Sequence, residues 1–188
     1  MAAQLGHPCT RSEGTERDQA GPGPFSENGP MPVDVLTEIV IERPCPQVAA
    51  YAADPANAPE WYANIDSVEW QTPQPVQVGS RMDFVARFLG RRLAYTYEVV
   101  EFDPGKRLVM RTAQGPFPME TTYTWEPVDK DRTRMTLRNR GEPAGFAKVT
   151  APMMAASVRR ANRKDLANLR RILEGDPGTS AESRTGSV

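Results

Sequence analysis

The sequence predicts an α+β domain, a curved antiparallel sheet of about six or seven strands wrapped around one long C-terminal helix, with two short helices after the first strand. Three observations carry this prediction. Residues 68 to 141 repeat a strand rhythm, in which runs of alternating polarity are separated by Pro73, Pro75, Gly79, Gly90, Pro104, Gly105, Gly115, Pro116 and the stretch from Asp129 to Asp131. One long stretch, residues 151 to 174, spaces Met154, Val158, Asn162, Leu166, Leu169 and Leu173 at intervals of three and four. Between the first β-branched run and the meander lie two short segments, each entered through proline.

Taken in order, residues 35 to 41 (VLTEIVI) form the first strand, closed by Pro44 and Pro46. Short helices follow over residues 47 to 53 and 59 to 64, the second carrying Trp61 and Tyr62. Neither is long enough to stand without the sheet behind it. In the meander, successive side chains point to opposite sides, which assigns the faces. The inner face takes Met82, Phe84, Ala86 and Phe88, then Leu93, Tyr95, Tyr97 and Val99, then Leu108, Met110 and Thr112. It continues through Thr121, Tyr123 and Trp125, then Met135, Leu137 and Asn139. The outer face is charged and wet, and Glu120 and Glu126 are expected to pair there with Arg134 and Arg138. The terminal helix covers the inner face, with Thr150 as its N-cap and Pro152 in its first turn.

At 188 residues the chain suits one domain, expected over 33 to 174, between polar, breaker-rich tails over 1 to 32 and 175 to 188 that are expected to be disordered. Met31 stands just before the ordered pattern and is an alternative start to Met1. The net charge of -1 argues against a nucleic-acid protein, which normally carries a basic excess. No apolar run is long enough to span a bilayer and no secretory signal opens the sequence, so a cytoplasmic location without stable membrane insertion is expected. Cys9 and Cys45 read as free thiols.

The only histidine is His7, in the N-terminal tail, so the sequence offers no Ser-His-Asp or Cys-His arrangement and no histidine-based metal site. Walker, HExxH and GxGxxG patterns are also missing, and neither a metal nor a cofactor is expected. Chemistry, if any, falls to Tyr, Arg, Asp, Glu and Asn. Tyr95, Tyr97 and Tyr123 on the inner face are the candidate catalytic residues; they either bond a carbonyl or enol of a bound molecule or pack with their hydroxyls on backbone and water. Asn139 and Asn162 interrupt apolar faces and need partners there. Arg159, Arg160, Arg163, Lys164, Arg170 and Arg171 read as a solvated helix face diluted by Asp165 and Glu174.

The segment IVIERPCPQVAAYAADPANAPEWY resembles the opening of the START/SRPBCC superfamily: a strand ending in a proline turn, a short helix, an Asp-Pro step and a Trp on the second helix. GKRLVMRT, TTYTWEPVDKDRTRMTLRNRG and RRANRKDLANLRRILE resemble its fifth strand, last hairpin and terminal helix. The resemblance covers residues 35 to 174 and is nearest to the polyketide cyclase/dehydrase-like subgroup. It implies the helix-grip fold, with a cavity between sheet and terminal helix whose mouth lies near Trp61 and Tyr62. The ligand-binding residues it implies are Trp61, Phe84, Phe88, Tyr95, Tyr97, Met110, Tyr123, Trp125, Asn139, Met154 and Val158. The expected partner is a small hydrophobic molecule such as a lipid, polyketide or isoprenoid, bound by a monomer or homodimer. Cofactor-free polyketide cyclisation or dehydration is the alternative activity.

Overall fold

The computed structural model describes residues 33–142 and 151–175. The expected tails apart from Gly175, Cys9, and the expected N-cap Thr150 lie outside these residues. The first strand, β1 (Val33–Ile41), begins two residues earlier than its β-branched pattern because Val33 pairs with Gly141 at the end of the sheet. Helix α1 (Cys45–Ala53) takes Pro46 into its first turn, where the missing N–H is no loss.

The second expected helix is shorter and earlier than residues 59 to 64. Asp54 accepts a hydrogen bond from the Ala56 N–H at 2.9 Å and starts a 3₁₀ turn (Pro55–Asn57) that runs into α2 (Ala58–Trp61). Helical geometry ends at Trp61 because Tyr62 is already extended (φ -77°, ψ 123°) and leads into the next strand.

Six further strands follow: β2 (Ile65–Trp70), β3 (Arg81–Phe88), β4 (Arg91–Asp103), β5 (Arg107–Gln114), β6 (Met119–Pro127) and β7 (Thr133–Gly141). With β1 they form one antiparallel sheet in the order β1-β7-β6-β5-β4-β3-β2. The sheet curls into a half-barrel around α3 (Ala151–Glu174), which is the helix-grip architecture. Pro152 stands in the first turn of α3, and Gly175, at φ +75°, follows its last residue as a left-handed stop.

Alternation places the inner face as the sequence pattern indicates, with one shift. A bulge between Val99 and Glu101 turns Val100 outward and brings Phe102 onto the core. The outer face is less uniformly wet than its charge suggests, since Glu120 and Thr122 in the middle strands are 8% and 6% exposed. Its ion pairs also differ from those expected. Glu120 pairs with Arg111 (2.8 Å) and Arg140 (3.4 Å), while Arg138 pairs with Asp34 on β1; only the Arg134 contact to Glu126, at 4.0 Å, matches. The reason is register: Arg111 on β5 stands directly opposite Glu120 on β6, whereas Arg138 is carried toward the β1 edge.

Candidate functional site

The inner face of the sheet is divided between two kinds of packing. At one end α1 and α2 lie across it, and Val48, Ala49, Ala52 and Trp61 close against Met82, Trp125, Met135 and Leu137. Leu166 and Leu169, from the C-terminal half of α3, complete that end at 1% and 0% exposure. Toward the other end α1 no longer covers the strands, and the N-terminal half of α3 spans the gap. A cavity of about 150 Å³ remains there, the size at which apolar cavities in proteins accept a benzene ring.

Phe84, Phe88, Tyr95, Tyr97, Met110, Tyr123, Asn139, Met154 and Val158 all stand on its wall. Trp61 and Trp125 do not. They are 1% and 2% exposed and form a layer behind the tyrosines: Trp61 stacks on Tyr62 with ring centroids 4.0 Å apart, and Trp125 stacks on Tyr123 at 6.0 Å. The physical cause is α1, which seals the part of the sheet that carries Trp125; Tyr62, one residue beyond α2, takes the lining position instead. Met82 and Leu137 are packed beyond reach of the cavity for the same reason.

Four phenols converge on this wall. Tyr62 and Tyr123 share a hydrogen bond of 2.6 Å between their hydroxyls. The Tyr97 hydroxyl lies 3.0 Å from Thr121 Oγ1, and Thr121 donates its proton to Asn139 Oδ1 at 2.8 Å. A threonine hydroxyl has a single proton, so Tyr97 is the donor in its bond to Thr121. Asn139 Nδ2 then donates to Asn162 Oδ1 at 2.9 Å, tying β7 to α3, while Asn162 Nδ2 is buried with no partner among the described residues. The Tyr95 hydroxyl also has no hydrogen-bond partner among the described residues; its ring stacks parallel to Phe84 at 5.6 Å and meets Tyr97 edge-on at 5.0 Å. Gly115 leaves room for Tyr95, since a Cβ there would sit 2.9 Å from Tyr95 Cβ.

Burial dominates the electrostatics. It pushes the Tyr97 hydroxyl up to about 12, and pushes Tyr62, Tyr95 and Tyr123 well above the ordinary phenol value; neighbouring phenols add to the effect on Tyr62 and Tyr95, while the hydrogen bond with Tyr62 offsets part of it on Tyr123. At neutral pH all four are therefore neutral hydroxyls, suited to hydrogen bonding rather than to attack as phenolates.

Asp165 is the group that the sequence reading assigned to the wet face of α3, and the structure overturns that. It is 2% exposed, lines the cavity, and accepts the Ala63 N–H at 2.9 Å, which fixes the corner between α2 and β2 to α3. Burial raises its carboxyl to about 6, with the Ala63 hydrogen bond and the Lys164 charge offsetting part of the shift. The signal was present in the spacing: Asp165 lies three residues after Asn162 and four before Leu169, on the buried stripe. Its neighbours Arg163 and Lys164 concealed it. Among the described residues no three of His, Cys, Asp and Glu stand together as a metal-binding group.

A search of curated protein sequences returns no match to this chain. Its fold is shared with the Zhui aromatase/cyclase from Streptomyces sp. R1128, at a TM-score of 0.62 and 18% identity over 75% of this chain and 93% of that one. It is shared also with a START superfamily protein from Mycobacterium smegmatis (TM-score 0.59, 18% identity, covering 76% and 94%) and with the major latex-like protein 151 of Panax ginseng (TM-score 0.57, 15% identity, covering 75% and 94%). Residues 32–174 match the model of the polyketide cyclase/dehydrase and lipid transport family, and this chain, with its half-barrel and gripped helix, belongs to that family.

Proposed function

We propose that the protein binds a small, largely apolar molecule carrying at least one oxygen function in the cavity between its sheet and α3. The observation that carries this reading is the combination of an apolar wall with a Tyr95 hydroxyl that faces the cavity and has no partner among the described residues. A mostly apolar wall with a few polar groups free to fix orientation is the composition of small-molecule sites. The neutral phenols of Tyr62, Tyr97 and Tyr123 supply further donors and acceptors around the same space.

A second reading, cofactor-free cyclisation or dehydration of a polyketide-like substrate, draws support from Asp165. A cavity-lining carboxyl held at about 6 has the proton affinity that general acid–base catalysis uses near neutral pH. The two readings separate in one experiment. Native mass spectrometry of freshly purified protein and titration with 1-anilinonaphthalene-8-sulfonate measure occupancy, and the aldol cyclisation of a linear β-diketone probe measures turnover. A carrier binds without turnover, and Tyr95→Phe weakens its affinity for an oxygenated ligand by about tenfold or less. An enzyme turns the probe over, and Tyr95→Phe or Tyr123→Phe lowers kcat with binding retained. Absence of any occupancy in both the wild-type spectrum and the titration refutes the cavity reading.

A further inference from the structure

Helix α3 turns one face to the cavity and another to solvent, and the second face has a composition that neither the fold nor the cavity explains. Arg159, Arg160, Arg163, Lys164, Arg170 and Arg171 are all exposed. At about 100° per residue they fall within an arc of about 140°, extending about 18 Å along the helix. Of the two acidic residues of α3, Asp165 lies outside that arc, and Glu174 falls within it only at the last residue of the helix. Asp165 is buried in the cavity wall, and Glu174 accepts the backbone N–H of Glu42 at 2.8 Å at the far end of the helix. Among the described residues none of the six cations has an ion-pair partner.

This arrangement is unfavourable for the isolated chain. Arg159 and Arg163, and Arg160 and Lys164, stand four residues apart on one helix face, where like charges destabilise rather than support the helix. The rest of the chain outweighs them, since the protein carries a net charge of -1. The charge is therefore segregated, not general. At the N-terminal end of the same arc stands Met153, 62% exposed and adjacent to the cavity residue Met154. A basic helix face ending in an exposed apolar side chain is the chemistry of adsorption to an anionic lipid surface, in which cations meet headgroups and the apolar group reaches the acyl boundary.

We propose that the solvent face of α3 docks on an anionic bilayer, holding the cavity at the surface where apolar molecules dissolve. Choosing a bilayer over other polyanions rests on the proposed ligand class. Docking here is peripheral, because no described helix is long and apolar enough to cross a membrane.

Flotation of the full-length protein with vesicles tests this directly. At low salt the protein should float with mixed phosphatidylcholine–phosphatidylglycerol vesicles and remain behind with pure phosphatidylcholine; raising NaCl to about 1 M, where the screening length is about 3 Å, should release it. The combined variant Arg159→Gln, Arg163→Gln, Arg170→Gln should bind about a hundredfold more weakly, at roughly fivefold per charge, while keeping its far-ultraviolet circular dichroism. The proposal is overturned if the protein ignores anionic vesicles at low salt, if the variant binds as well as wild type, or if it binds duplex DNA but not vesicles. Binding of 1-anilinonaphthalene-8-sulfonate by the same variant is the control that keeps failure of docking separate from failure of the cavity reading.

Discussion

Replacing Asp165 with asparagine removes a buried charge while leaving an amide oxygen to accept the Ala63 N–H at the same place. The carboxyl titrates at about 6 in the folded protein and at about 3.9 in an unfolded chain, a difference of about two units or about 3 kcal/mol. The shift is upward for an acid, so between pH of about 4 and 6 the native state retains a proton that the unfolded chain has released. Stability therefore falls as the pH rises through this window, and the full penalty persists above it. Asp165→Asn should be more stable than wild type at pH 7 by up to about 3 kcal/mol, and the advantage should vanish below a pH of about 4. Urea denaturation of the two ligand-free proteins, across a pH series, measures the difference directly. A difference that is constant with pH, or a variant that is less stable at neutral pH, refutes the assignment of Asp165 as a desolvated carboxyl.

Two further outcomes are expected. Leu89 and Gly90 form the two-residue loop between β3 and β4, both with positive φ, and Leu89 at +48° is 47% exposed with little packing to offset the strain; Leu89→Asn should raise stability by about 1 kcal/mol in thermal unfolding. Leu169, fully buried where α3 meets the sealed end of the sheet, should cost about 2 to 5 kcal/mol when changed to Ala, measured by urea denaturation.

The sheet was legible because its inner face is written at period two: Phe84, Tyr95, Tyr97, Met110 and Tyr123 follow from alternation alone. The stripe of α3 was equally plain. What failed depended on tertiary placement. Trp61 and Trp125 are aromatic residues on the correct face, and nothing local distinguishes the part of that face beneath α1 from the part beside the cavity. The bulge after Val99 adds a residue without any glycine or proline to mark it. Glu120 was assigned its partners by composition, whereas register put Arg111 opposite it. Asp165 was misread because a carboxylate beside Arg163 and Lys164 looks solvated until its spacing from Leu169 is weighed more heavily than its charge.

Helix α3 is anchored very unequally along its length. Its C-terminal half is tied down by Leu166 and Leu169, by Asp165 to Ala63, by Asn168 to the Trp61 carbonyl at 3.3 Å, and by Arg43 to the Glu174 carbonyl at 2.6 Å. The first turns, by contrast, rest on Met154, Val158 and the bond between Asn139 and Asn162. Amide hydrogen exchange should accordingly slow progressively from Met154 toward Leu169, as the end over the cavity frays while the far end opens only with the whole fold. For the ligand proposed above, exchange would then follow the fraying rate of the helix, with the cavity filling and emptying while the rest of the protein stays closed.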